Sequence, residues 1–149
     1  MRNAEKILNK KLKEDYNIPD PITTRFGINT GNMVIGNMGT NMKMNYTIMG
    51  NAVNLASRLE GVNKVYHSHI LVSEETWLQA NKDEYKDTIV AKPLDKVRVL
   101  GIEKPVQLYT LLGFANELPM TCIKATKLFE QGYDLYLNKQ FAKAKLYFE

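Results

Sequence analysis

The stretch RFGINTGNMVIGNMGTNMKMNYTIMGNAVNLASRLE, which runs from Arg25 to Glu60, decides the fold. Glycines punctuate its first part, a pattern that indicates β-hairpin structure. The predicted elements are a strand over 25–30, a turn at Gly31-Asn32, a strand over 33–38, a loop over 39–45 and a strand over 46–49. The hairpin then ends at Gly50, where the pattern changes.

Residues 51–63 have the spacing of an amphipathic helix. Its apolar stripe consists of Ala52, Leu55, Ala56, Leu59 and Val62. Asn54 and Arg58 lie four residues apart, so both are expected to project from one face, opposite the Leu55 and Leu59 stripe. The arginine guanidinium can donate two parallel hydrogen bonds to phosphate oxygens, and the first turn of a helix favours anions. A phosphate site is one interpretation; the other, which spacing alone favours, is an ordinary solvated helix face.

The rest of the chain alternates between helices and strands. The predicted elements are a helix over 2–16, a strand over 70–72, a helix from the cap Ser73 to about Ala80, and strands over 88–92, 95–100 and 106–112. This order predicts an α/β (α+β) sandwich with helices on a mixed sheet. After Pro119 the chain is strand-free, so residues 122–149 predict a helical hairpin with a break at Asn138-Lys139.

Composition excludes several classes of function. Hydrophobic residues make up 44% of the chain and charged residues 24%, as in soluble globular proteins, and no apolar run is long enough for a membrane span. The single Cys122 excludes an internal disulfide and fits a reducing compartment, so a cytoplasmic location is expected. The net charge of +4 comes from scattered residues without an aromatic platform, so no nucleic-acid partner is expected. His67 and His69 lack further metal ligands at suitable spacing and predict a surface loop.

Four segments together resemble the signature of the class III nucleotide cyclases, the adenylate and guanylate cyclase catalytic domains. They are RFGINTG at 25–31, VIGNMG at 34–39, YTIMGNAVNLASRLE at 46–60 and ILVSE at 70–74, and KPVQLY at 104–109 extends the likeness. The similarity covers most of residues 1–113 and is strongest to bacterial adenylate cyclases. It implies the ferredoxin-like cyclase fold for this part of the chain.

The resemblance also implies a chemistry. In the family, the ribose 3′-hydroxyl of a nucleoside triphosphate attacks the α-phosphate and pyrophosphate leaves, with two magnesium or manganese ions held by aspartates. Asn54 matches the asparagine that positions the ribose, and Arg58 matches the arginine that stabilises charge on the α-phosphate. Thr47 matches the purine-contacting position and implies ATP. The family's sites lie at a two-fold interface, which implies a second cyclase protomer as partner.

The chain departs from the family pattern at two places. The family's metal-binding aspartates precede the strand at Arg25, whereas Asp15 and Asp20 here lie in a helix tail and a loop. We therefore expect residues 1–113 to be the C-terminal half of a cyclase domain, truncated on its N-terminal side. Such a half has no metal site, holds no cofactor and is inactive by itself.

The second departure concerns the triphosphate. A lysine usually precedes the glycine at the site of Gly101, and Leu100 stands there instead. Arg98 and Lys104 are the candidates to replace the missing lysine, although neither occupies the matching position. An alignment shifted by two residues would give the phosphate contact to Arg98.

After a linker over 114–121, residues 122–149 resemble the start of a tetratricopeptide repeat. Its positions are matched by Gly132, Leu135, Tyr136, Phe141, Ala144 and Phe148. A simple helical hairpin packed on the domain is the alternative. A repeat would imply protein partners.

The expected parent protein is an adenylate cyclase that makes cyclic AMP in intracellular signalling, and an upstream membrane tether is compatible with it. The alternative is a degenerate cyclase-like domain for nucleotide sensing or protein docking, which Leu100 favours.

Overall fold

The structure, a computed structural model, describes residues 2–98 and 105–149. The helices are α1 (Arg2–Tyr16), α2 (Asn51–Val62), α3 (Glu74–Ala80), α4 (Met120–Leu137) and α5 (Phe141–Phe148). The strands are β1 (Phe26–Ile28), β2 (Val34–Thr40), β3 (Lys43–Met49), β4 (Ile70–Ser73), β5 (Ile89–Val97) and β6 (Val106–Phe114). A single 3-10 turn, Asp83–Tyr85, precedes β5.

Four strands form a mixed sheet in the order β1-β4-β6-β5. β1 runs parallel to β4, with Phe26 opposite Ile70, and the other two pairings are antiparallel. Parallel neighbours require a long crossover, and here it contains the β2–β3 hairpin and α2. β2 and β3 pair with each other as a separate two-stranded sheet.

The hydrophobic core lies between α2 and one face of the sheet. Leu55 and Leu59 of α2 meet Leu71 of β4 and Leu108 of β6, and the last three side chains are 0% exposed. The apolar stripe of α2 supplies these contacts because residues four apart recur on one helix face. The position of α2 is therefore set by the core.

Gly27 lets the backbone of β1 lie directly against α2. A Cβ atom at this position would overlap the Ala56 carbonyl oxygen and the Glu60 amide nitrogen, which are rigid helix backbone. The buried Asn63 closes the same junction, because its Nδ2 donates to the carbonyl oxygens of Phe26 and Leu59, each at 3.0 Å. Strand and helix are thus joined by close packing and by hydrogen bonds.

The other face of the sheet carries α3 and α4. Gln107 and Tyr109 alternate with Leu108 along β6 and so point away from the α2 core. Tyr109 stacks on Trp77 of α3 with ring centroids 5.7 Å apart. The Tyr133 hydroxyl of α4 donates to Gln107 Oε1 at 3.0 Å, and burial raises the pKa of that hydroxyl above its ordinary value.

α5 folds back onto α4 after residues 138–140. Gly132 permits the close contact, because a Cβ atom there would be 2.7 Å from Tyr147 Cβ. The Phe129 ring lies 5.2 Å from the Phe148 ring and also faces Lys92 Nζ of β5, 4.7 Å from the ring centroid. Aromatic side chains therefore connect α4 to both α5 and the sheet.

Most predicted elements agree with the structure, including the bounds of α1 and the Ser73 cap, which accepts from the Thr76 amide. The predicted loop over 39–45 is wrong, because β2 and β3 remain paired as far as Thr40 and Lys43. Solvent-exposed strand positions accept polar residues, so the polar residues over 39–45 wrongly indicated a loop. The predicted strand over 88–92 and the described part of the one predicted over 95–100 form one strand, β5, with an irregularity between Pro93 and Lys96; residues 99–100 lie outside the described residues. Within the described residues no helix is long and apolar enough to span a bilayer.

Substituting Leu59 tests the core. Leu59→Ala should lower the free energy of unfolding by about 2–5 kcal/mol, because it removes a side chain enclosed on all sides. Leu78→Ala is the matched control: Leu78 also lies on a helix but is 53% exposed, so its change should stay within about 0.5 kcal/mol. Denaturant unfolding at one protein concentration measures both, and equal effects would contradict this description of the core.

Candidate active site

α2 carries the two principal candidate residues, Asn54 and Arg58. The helix begins directly after β3, and the Asn54 amide donates to the Gly50 carbonyl oxygen at 3.1 Å. The side chain of Asn54 is exposed and that of Arg58 is half-buried. Successive helical residues are rotated by about 100°. The Asn54/Arg58 face is therefore adjacent to the Leu55 and Leu59 stripe, and the expected opposite placement is wrong.

The guanidinium of Arg58 is incompletely paired. Its Nη1 is enclosed by protein and has no hydrogen-bond partner among the described residues. Arg25 differs, because its Nε lies 3.4 Å from Glu60 Oε1 in an ion pair. An enclosed donor without an acceptor is destabilising, and such groups are uncommon in folded proteins.

Asn29 fixes the start of α2 relative to the sheet. Its Nδ2 donates to the Ala52 carbonyl oxygen at 3.0 Å, and its Oδ1 accepts from Ser73 Oγ at 2.6 Å. A second link joins Thr76 Oγ1 to Thr30 Oγ1 at 3.1 Å. Asn29 thus connects the first turn of α2 with the N-terminus of α3. Asn29 belongs to the sequence motif, but no role was predicted for it. Its position directly after a strand was the feature that could have identified it.

Thr47 lies on β3 opposite Gly36 of β2, and its side chain is exposed. It shares a hairpin face with Met49, whereas Tyr46 and Ile48 point to the other face. The turn from β3 into α2 comes only three residues after Thr47, at Gly50. The structure therefore carries all three motif residues on the continuous unit β3–α2.

Arg98 is exposed and directly follows β5. Leu100, Gly101 and Lys104 lie outside the described residues, so the phosphate contact expected at this connection is not located. The register places Val97 opposite Val106, which brings the two ends of the connection together.

Metal ligands are not grouped in the described part of the chain. No set of three or more His, Cys, Asp or Glu side chains there could hold an ion. Asp15 lies in the last turn of α1 and Asp20 in the segment after it, both exposed. The residues present therefore do not fit the metal pair that a cyclase reaction uses. The absence of a metal site in the chain stays a prediction.

A family model described as the adenylate and guanylate cyclase catalytic domain matches residues 4–113. The chain belongs to this family. It is similar to adenylate cyclase 1 of Rhizobium meliloti, with 37% identity over 98 residues that cover 66% of this chain and 14% of the relative. It is also similar to the terminal-differentiation-specific adenylate cyclase of Dictyostelium discoideum, with 34% identity over 131 residues, 86% of this chain and 6% of the relative.

Solved cyclase structures share the fold. The adenylyl cyclase CyaB from P. aeruginosa matches with a TM-score of 0.63 and 36% identity, over 79% of this chain and 56% of that one. The guanylyl cyclase Cya2 matches with a TM-score of 0.59 and 27% identity, over 76% and 53%. These comparisons support a cyclase domain of mixed α/β content.

The enclosed guanidinium leads to a prediction about stability. Arg58→Met keeps the length of the side chain but removes the unpaired donor, so the free energy of unfolding should stay unchanged or rise by about 1 kcal/mol. Arg25→Met is the control, because it removes an ion pair and should lower that free energy by up to about 1 kcal/mol. Denaturant unfolding measures both. A fall of more than about 1 kcal/mol for Arg58→Met would show that the guanidinium has structural partners.

Proposed function

We propose that this chain supplies the Asn54/Arg58 helix of an adenylate cyclase that converts ATP to cyclic AMP and pyrophosphate. The observation that carries the proposal is that Arg58, which forms no ion pair within the described residues, lies with Asn54 on a helix whose position is fixed by the core. The family membership supports a cyclase reaction. The curated relatives named above extend far beyond the matched part, so the activity of the whole protein is part of the proposal.

In this mechanism Arg58 donates from its guanidinium to oxygens of the α-phosphate. Negative charge on those oxygens grows as the 3′-hydroxyl attacks, so the interaction is stronger in the transition state than in the substrate complex. The Asn54 amide holds the ribose and so orients the attacking hydroxyl. Carboxylates of another segment or another chain would hold the magnesium or manganese ions, which would supply activation of that hydroxyl.

ATP is the proposed substrate because Thr47 offers a hydroxyl that can donate to or accept from the adenine edge. Two relatives named as adenylate cyclases agree with this choice. Relatives named as guanylate cyclases also match, such as retinal guanylyl cyclase 2 of Rattus norvegicus at 30% identity. The base preference therefore rests on Thr47 rather than on family membership.

The proposed partner is a second cyclase protomer. The β2–β3 hairpin exposes an apolar face formed by Ile35, Met44, Tyr46 and Ile48, which are 59%, 59%, 71% and 43% exposed. Met42 at the turn is 97% exposed. Large apolar side chains on an exposed strand pair favour association. A protomer docked there would cover the hairpin face opposite to the one that carries Thr47.

The last two helices are the proposed start of a tetratricopeptide repeat that contacts protein partners. Gly132 and Ala144 are buried where α4 and α5 meet, as small residues in a repeat would be.

We further propose a cytoplasmic location and a role in cyclic AMP signalling.

A degenerate cyclase-like domain, used for nucleotide sensing or docking, is the second candidate function. Leu100 favours it, because a leucine cannot bind the triphosphate where the family uses a lysine.

Complementation tests the proposed role of α2. The assay mixes this chain with a cyclase domain similar to CyaB in which the arginine aligned with Arg58 is replaced by alanine. Cyclic AMP should form from ATP when both are present, and this product should exceed cyclic GMP from GTP. Arg58→Ala or Asn54→Ala in this chain should each lower turnover by about two powers of ten.

Lys143→Ala is the matched control, because it removes an exposed cation on α5 and should leave turnover unchanged. The chain alone should make no cyclic AMP. Turnover by the chain alone that Arg58→Ala abolishes would mean that it holds its own metal site. If the mixture is active and neither variant lowers its turnover, the assigned roles are wrong.

The apolar hairpin face leads to a prediction about assembly. At low micromolar concentration the chain should form a dimer or a strand-exchanged assembly, with a mass above the 17.1 kDa of one chain. The double variant Ile35→Lys/Tyr46→Lys should dissociate it, while Leu78→Lys, a control on α3, should not. Light scattering after size exclusion measures the mass. A single 17.1 kDa species that persists on concentrating the sample would contradict the prediction.

A further inference from the structure

A cavity of about 250 Å³ lies where the end of α2 meets the start of β1 and β4. Its basic lining residues are Arg25, Lys64, His67 and His69. No carboxylate lines it among the described residues. We call it the basic cavity. His67 and His69 are the chain's two histidines, so both imidazoles belong to one site.

Hydrogen bonds hold the loop that forms the basic cavity in one shape. Ser68 Oγ donates to Asn63 Oδ1 at 2.8 Å, and the Ser68 amide donates to the Asn63 carbonyl oxygen at 3.1 Å. The Phe26 amide donates to the His69 carbonyl oxygen at 2.8 Å. His67 has a φ of 49°, in the left-handed region, which a tight loop uses to reverse direction. The histidines are therefore presented by a fixed loop.

The basic side chains of the cavity retain unused hydrogen-bonding capacity. Nδ1 of His69 is enclosed and has no partner in the described part of the chain. Glu60 pairs with Nε of Arg25, which leaves the two terminal nitrogens of that guanidinium without a recorded partner. Lys64 and His67 are exposed at the rim. Several donors of one charge sign around one space favour an anion.

We propose that the basic cavity binds a small phosphate-type oxyanion. Phosphate and pyrophosphate offer several strong acceptor oxygens, which match a ring of guanidinium, ammonium and imidazole donors. Neither Asn54 nor Arg58 lines the cavity, so the site is separate from the proposed active site.

The competing explanation is that the basic residues only complement the C-terminus of α2, where carbonyl groups carry partial negative charge. The carbonyl oxygens there already accept other bonds: Val62 O accepts from the Val65 amide and Gly61 O from the Lys64 amide. This explanation predicts no saturable anion binding.

The proton NMR signals of the two imidazoles can report anion binding to the basic cavity. The chain is titrated with inorganic phosphate, pyrophosphate and AMP at constant ionic strength, and the proton NMR signals of both histidines are followed. Both signals should shift saturably with at least one phosphate compound, because a bound anion changes the electrostatic environment of both imidazoles. Chloride at the same ionic strength should cause no saturable shift. A stronger effect of AMP than of inorganic phosphate would identify a nucleotide as the source of the anion.

Two variants should weaken binding by about tenfold each, because each removes one donor. Lys64→Met keeps the aliphatic stem, and His67→Asn keeps a residue type that tolerates positive φ. Lys139→Met, which removes an exposed cation far along the chain, and Arg58→Met should leave binding unchanged. The proposal is overturned if no phosphate compound shifts the signals, if chloride acts equally, or if Lys64→Met binds like the original chain.

Discussion

The close contact between β1 and α2 is the constraint on which the rest of the structure depends. A side chain at Gly27 would collide with the backbone of α2, so only glycine allows the strand to lie there. Asn63 then joins the same two elements by hydrogen bonds, and Leu59 buries the helix against the sheet. The Asn54/Arg58 face of α2 is therefore positioned by packing on its neighbouring faces. The same junction also forms one side of the basic cavity.

Local patterns predicted much of this architecture. The apolar spacing along 51–63 was enough to identify α2, and Ser73 was enough to identify the start of α3, because both signals depend on a few consecutive residues. The hairpin turn predicted at Gly31-Asn32 is wrong, because β1 pairs with β4 and β2 with β3. The length of the β2–β3 hairpin was also missed, since its strands contact little else and polar residues are tolerated on them. The shared cavity of His67 and His69 with Arg25 depends on a contact between distant segments. The spacing of residues along the sequence does not reveal contacts between distant segments.

Of the candidate site, the sequence predicted the residues but not their surroundings. Asn54 and Arg58 follow from a motif, whereas the enclosure of one Arg58 nitrogen depends on how closely α2 packs on its neighbours. The error in the orientation of the Asn54/Arg58 face has the same origin. A helix wheel gives an angle between residues, but the depth to which a long side chain is covered depends on tertiary contacts.

The unsatisfied groups of this protein are concentrated near its proposed functions. The two enclosed polar side-chain atoms without partners in the described residues belong to Arg58 and His69, one beside each proposed anion site. Elsewhere, buried polar groups are paired, as Tyr133 is with Gln107 and Ser73 with Asn29. A folded chain satisfies buried donors wherever only stability matters, because each unpaired one is destabilising by about 1–3 kcal/mol. The two exceptions, Arg58 and His69, are the residues for which the two proposals assign the partner to a ligand.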